Sequence, residues 1–211
     1  DTHDLGFVNF LYFTDAVASG YIPFWNPYIQ SGVFFPTLNN AGLFTVFQSI
    51  FVIIAEYFNP AIVFEWMIQA FIVSGGIGSY FYFYKLGATK QFATFGAVAY
   101  VLVCLMPYTG QLSFIVSLSS LPWLLFIVHL IKDKNYGIYF VLFLGAILGM
   151  YQVSGYPWMN FINGVIVVLY SFVINKGLDK KLYLKLFFML LTMTVVYILF
   201  MIPGLLDLRF N

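Results

Sequence analysis

The run Ala41-Gly-Leu-Phe-Thr-Val-Phe-Gln-Ser-Ile-Phe-Val-Ile-Ile-Ala-Glu-Tyr-Phe58, closed by Asn59 and Pro60, decides the fold. It is apolar, but a helix that crosses the roughly 30 Å hydrocarbon core needs about 20 residues. Glu56, Asn59 and Pro60 leave this run short of that. On length alone it reads either as a crossing or as a re-entrant or interfacial helix. The rest of the chain has to choose between them.

Of the 211 residues, 62% are hydrophobic and only 8% are charged, and the mean hydropathy is +0.93. Soluble domains carry about 25% charged residues. The composition therefore implies an all-α integral membrane protein. A net charge of +1 gives no basic surface for nucleic acid. The single Cys104 lies in an apolar run, forms no internal disulfide and reads as a small core residue.

Downstream of Pro60 the hydropathy predicts six spans, at Pro60–Leu86, Gln91–Pro107, Leu112–Ile131, Tyr136–Val153, Pro157–Ile174 and Tyr183–Pro203. No Lys or Arg precedes Lys85. Lysines then come in bursts, at Lys85 and Lys90, at Lys132 and Lys134, and at Lys176, Lys180, Lys181 and Lys185. These bursts fall in every second connection, while Tyr108–Gln111 and Gln152–Tyr156 carry no charge. The positive-inside rule places the lysine connections in the cytoplasm. If residues 41–58 crossed, every burst would fall on the wrong side. The chain thus divides into an outer-face loop, residues 1–59, with a re-entrant or interfacial helix; a transmembrane bundle, 60–203; and an external tail, 204–211. A loop of that kind calls for an entering helix ahead of residue 1.

Within the loop, Asp4–Ala18 suits a short helix. Gly20-Tyr-Ile-Pro-Phe-Trp-Asn-Pro-Tyr-Ile-Gln-Ser-Gly32 suits neither helix nor central strand, because Pro23 and Pro27 remove donors and restrict the residues before them. Such a rigid aromatic turn belongs at a membrane–water boundary. The acids of the outer half are Asp1, Asp4, Asp15, Glu56, Glu65 and Asp207, with Arg209 the one fixed cation on that side. A carboxylate there suits a general base, and the arginine fork suits a phosphate. Glu65 lies about 7–8 Å along its helix from Pro60, where an acid faces a polar cavity or a partner. Asp1, His3 and Asp4 offer ligands for a divalent cation, though at a spacing with little specificity. The small-residue patches Ser74–Ser79 and Gly145–Gly149 read as close helix contacts, and His129 as a hydrogen-bonding residue near the cytoplasmic interface.

Asp4, the segment Phe7–Phe13 and the Pro23–Tyr28 turn, which ends in Trp25-Asn26-Pro27-Tyr28, resemble the first external loop of bacterial YfhO-like membrane proteins. That family is related to the C-type (GT-C), lipid-dependent glycosyltransferases. Ser120-Leu-Pro-Trp123, Gly155-Tyr-Pro-Trp158 and Pro203 with Arg209 agree with the resemblance, which covers most of the chain. It implies a shortened member of the family in the bacterial cytoplasmic membrane. The implied reaction is inverting transfer of a sugar from a polyprenyl-phosphate donor to an acceptor on the outer face. Asp4 would be the base, with Asp1 or Asp15 as substitutes. Asp15, Trp25, Asn26, Tyr28, Glu65 and Arg209 would contact substrate. The departing phosphate would need Arg209, a divalent cation or a helix N-terminus. The chain departs from the family in having Gly6, Phe7 and Val8 where an early glutamine is common. It also has Tyr156 and Trp158 where relatives often place His and Gln. Two other readings stand beside this one: a non-catalytic subunit that packs against protein partners in a membrane complex, and a transporter of a lipid-linked molecule. The second lacks paired ionisable groups at midspan.

Overall fold

The computed structural model describes residues 2–27, 33–34, 41–105, 112–133, 136–153, 155–174 and 180–207. Its regular structure is helical apart from one short ribbon. Helix α1, Thr2–Ala18, ends at Gly20, whose φ of +82° lets Tyr21 N–H turn back to the Ala16 carbonyl. Strand β1, Trp25–Asn26, pairs antiparallel with β2, Val33–Phe34, in the register Trp25 to Phe34 and Asn26 to Val33. A ribbon this short needs outside support. The Tyr12 hydroxyl donates to the Trp25 carbonyl at 2.6 Å, and Phe24 stacks on Phe44.

The deciding run folds as a 3-10 turn, Ala41–Phe44, and then α2, Val46–Ala55. At 1.5 Å per residue α2 is about 15 Å long, half of what a crossing needs. Helix α3, Pro60–Lys85, starts with proline at its first position, and the Asn59 side chain accepts from Ala61 N–H at 2.9 Å. Then follow α4, Lys90–Leu105; α5, Leu112–Asp133; α6, Ile138–Gln152; α7, Pro157–Ile174; and α8, Lys180–Asp207.

Four of these helices are long and apolar enough to cross a membrane: α3, α5, α7 and the Lys180–Phe200 part of α8. Helices α4 and α6 are apolar but shorter, at 16 and 15 residues. The sequence placed the last helix at Tyr183–Pro203; α8 instead runs from Lys180 through Pro203 to Asp207. A proline is tolerated within such helices when the freed carbonyl finds another donor. Pro122 in α5 shows how. It has no N–H to offer the Leu118 carbonyl one turn back, and the Tyr100 hydroxyl of α4 donates there instead, at 2.8 Å.

In lipid, apolar contact alone does not draw helices together, so close packing relies on small residues. The two glycine patches serve that purpose. A Cβ on Gly75 would lie 3.0 Å from Ser119 Cα, and one on Gly145 would lie 2.6 Å from the Met189 carbonyl oxygen. Cys104 is buried beside Gly75. Helices α3, α5 and α7 run parallel, as the pairs Gly75 with Ser119, Lys85 with Asp133, and Lys132 with the Ile174 carbonyl require. Helices α4, α6 and α8 run the other way. All described lysines except Lys185, one turn into α8, therefore lie at or beside helix termini at one end of the bundle. The region of α1 and α2 caps the opposite end, with the Phe7 and Phe10 rings each 5.5 Å from Phe64 in the second turn of α3.

Candidate functional site

The residues singled out in the first external loop separate into distinct environments on this cap. Asp4 takes its place in the first turn of α1, beside His3, and Asp15 is exposed near the other end of that helix. Trp25 is half exposed. Asn26 is fully buried, with its amide reaching Asn9 Oδ1 at a long 3.5 Å. Glu65 is half-buried in the second turn of α3. Asp1, Tyr28 and Arg209 lie outside the described residues, as does the Gly32 end of the turn. Among the described residues no three His, Cys, Asp or Glu side chains form a metal-binding group.

A second polar region sits at the same end of the bundle, and none of its residues was among the candidate site residues read from the sequence. Ser117 and Ser120 of α5 meet Gln152 of α6 and Asn160 and Asn163 of α7. The Ser117 hydroxyl donates to Asn160 Oδ1 at 2.8 Å and accepts from Tyr156 N–H at 2.8 Å. Gln152 Nε2 donates to Ser120 Oγ at 2.7 Å, Asn163 Nδ2 to the Ser117 carbonyl at 2.7 Å, and Asn160 Nδ2 to the Gln152 carbonyl at 3.0 Å. A Cβ on Gly155 would lie 2.6 Å from Ser117 Oγ, so the Gly155–Trp158 connection is seated directly on this network. Ser117, Ser120, Gln152 and Asn163 are all buried. Polar groups paired this way inside an apolar bundle fix the helices at one register. The available signal was amides at i and i+3 on an apolar helix, Asn160 and Asn163, with Gln152 opening the uncharged connection.

The network borders a cleft of about 490 Å³ between α7 and α8, lined by Gln152, Asn160, Gly164, Val168, Met193 and Tyr197 among others. That volume is in the range of small-molecule sites. The cleft exists because α7 packs chiefly on α5 while α8 packs chiefly on α6. Its walls are apolar along α7 as far as Leu169, about 18 Å from Pro157 at 1.5 Å per residue. Its polar residues are Gln152, Asn160, Thr194 and Tyr197, and they gather toward the capped end. Among the four long apolar helices these walls belong to the two least buried: 17% of the apolar stretch of α7 and 22% of that of α8 are buried, against 50% in α3 and 56% in α5.

At the lysine end α7 is pinned again. Tyr170 OH lies 2.6 Å from His129 Nε2 of α5 and accepts from the Tyr82 hydroxyl of α3 at 3.0 Å, while Lys132 Nζ donates to the Ile174 carbonyl at 2.9 Å. His129 is thus a hydrogen-bonding residue in the last turns of α5. Comparison with protein-family models, with curated proteins and with solved structures gives no match.

Proposed function

We propose that this chain is a membrane glycosyltransferase, which moves a sugar from a polyprenyl-phosphate donor to an acceptor on the outer face of a bacterial cytoplasmic membrane. In this reading the lysine end faces the cytoplasm, α3 to α8 make six crossings, and residues 41–55 stay on the outer side as a re-entrant or interfacial element. Asp4 is the general base on the acceptor hydroxyl. Arg209, or a divalent cation near Asp1, His3 and Asp4, takes up charge on the departing phosphate.

The observation that supports this reading is the cap. The acid-bearing first helix is packed onto the lysine-free end of the bundle, the Trp25-Asn26 ribbon is held against that helix through Tyr12 and Asn9, and the helix that follows, α2, is too short to carry the chain across. One observation favours the non-catalytic subunit instead: Asn26, a proposed substrate contact, is fully buried and directed at Asn9.

The decisive experiment is a transfer assay with labelled polyprenyl-phosphate sugars, run on the purified chain in lipid nanodiscs beside Asp4→Asn and Arg209→Ala. Asp4→Asn is expected to abolish transfer, and Arg209→Ala to slow it while assembly stays intact. Full activity in Asp4→Asn would move the base to Asp1 or Asp15. No transfer by the unaltered chain with any such donor would favour the subunit reading.

A further inference from the structure

Helix α2 has its polarity reversed. A helix against water turns its apolar stripe inward and its polar residues outward. In α2 the buried residues are Gln48, Val52 and Ala55, while Val46, Ile50 and Ile53 face out, at 63%, 49% and 53% exposure. The outward three stand at i, i+4 and i+7, so they form one stripe. Gln48 faces in although its Nε2 is buried without a hydrogen-bond partner among the described residues. With water outside, half a revolution of the helix would hydrate that amide and bury the stripe, and both changes would be favourable. The observed orientation is the stable one where the outside is no more polar than the core.

Charge and depth agree. A helix that lies on the membrane plane keeps a charged or polar face toward water, but Val46–Ala55 carries no charge. Ser49, beside the stripe, donates its hydroxyl to the Thr45 carbonyl one turn back. Helix α1, in the same cap, does turn a charge outward, Asp15, while burying Phe10 and Phe13. The Phe47 ring in the first turn of α2 lies 5.6 Å from that of Tyr151, which is 5.2 Å from the Phe71 ring. Phe71 is about 16 Å along α3 from Pro60 at 1.5 Å per residue, so α2 packs on side chains below the outer end of α3. Exposed apolar patches mark protein or membrane contacts. A protein interface carries a polar rim, whereas Phe47 and Ile54 flank this stripe on one side. Past its last turn the Phe58 ring lies 5.8 Å from Trp66, on the exposed flank of α3. The stripe therefore runs into the surface of a helix long and apolar enough to cross a membrane.

We infer that α2 is embedded in the hydrocarbon of the leaflet at the capped end, as a re-entrant and not an interfacial helix. Val46, Ile50 and Ile53 lie against lipid acyl chains, and the exposed Glu56 and Tyr57 mark the headgroup level. This rests on the membrane crossings of the proposed reading, not on sugar transfer.

The test puts a nitroxide on single cysteines in the full chain carrying Cys104→Ala, in phosphatidylethanolamine–phosphatidylglycerol nanodiscs. It compares collisions with oxygen, which concentrates in hydrocarbon, and with a water-soluble nickel chelate, which is excluded from it. Val46→Cys, Ile50→Cys and Ile53→Cys should each give an oxygen-to-nickel ratio about tenfold above that of Asp15→Cys, because the polar chelate pays to enter hydrocarbon. They should match Val73→Cys, an exposed position near the middle of α3. The unaltered chain, exposed to a phospholipid with a diazirine in its acyl chain, should carry adducts on residues 46–53 as well as on α7. Nickel access at the three α2 positions beside an oxygen-favoured Val73 position would overturn the inference and leave the crossings intact. Nickel access at Val73 as well would retire both. Nitroxides on α2 shielded from both reagents, or adducts on α7 and none on α2, would show a protein partner or a second copy over the stripe and overturn the inference too. Lipid contact at α2 without sugar transfer would retire the transferase reading and leave this one standing.

Discussion

Along α8, Met189 and Met193 receive Gly145 and Gly149 of α6 so closely that a Cβ on either glycine would come within 2.6 or 2.8 Å of a backbone oxygen, whereas a Cβ at Gly164 of α7 would meet nothing. The same residue type thus has opposite uses on the two helices beside α8. On α6 it allows backbone contact, which is how helices associate in lipid. On α7 it leaves space. Helix α7 compensates for its sparse packing with polar pins at both ends: the Ser117 network near the cap, and Tyr170 with the Lys132 cap at the lysine end. A wall held at its ends and free along its middle is a way to keep a cleft open in a molecule whose other helices close-pack.

The sharpest way to break this contrast is to substitute both glycines alike. Gly145→Val should destabilise the protein by about 3 kcal/mol, because the obstruction is backbone and cannot rotate away. Gly164→Val should leave stability nearly unchanged. Melting followed by light scattering in detergent would show a large drop for the first and little for the second. Equal losses would mean that α7 and α8 close on each other.

The pins come next in size. Ser117→Ala removes one of two acceptors of Tyr156 N–H, which keeps the Ser113 carbonyl at 3.1 Å, and takes away the donor to Asn160 Oδ1 next to a buried position. The expected cost is about 2 kcal/mol, with faster hydrogen exchange at Tyr156 and Asn160 and little change in α3 or α4. Exchange that rises evenly over all helices would show that the network is not a local clamp.

The layout of helices was legible because lipid imposes length and charge. The lysine bursts marked the helix ends that the structure brings together, Pro157–Ile174 was placed at its observed limits, and Pro60 began its helix as placed. The small-residue patches marked contacts without naming partners. What stayed hidden was rotation of each helix about its own axis. In a soluble helix the apolar stripe gives that angle. Here lipid and core are both apolar, so α3, α5 and α6 carry no such stripe, and Ser117 and Gln152 meet Asn160 through helix angles that hydropathy does not encode. The cleft and Tyr197 were invisible for the same reason. In the cap, the short first helix was legible as an element; the burial of Asn26 was not, because it depends on Asn9, which lies 17 residues earlier in the chain.

The smallest expected effect concerns the lysine end of α3. Lys85 Nζ lies 2.8 Å from Asp133 Oδ2, yet the two side chains are 29% and 45% exposed. A pair so open to solvent contributes about 0–1 kcal/mol. Lys85→Ala should therefore lower the melting temperature only slightly, and the difference should fade as salt is raised. The packing of α3 on α5 would remain, since it rests on Gly75 against Ser119 and on Trp123 Nε1 donating to the Ser74 carbonyl at 3.0 Å. A loss as large as that of Ser117→Ala, or one indifferent to salt, would mean that the lysine end is held by charge. The division between close-packed α3–α5 and pinned α7 would then have to be redrawn.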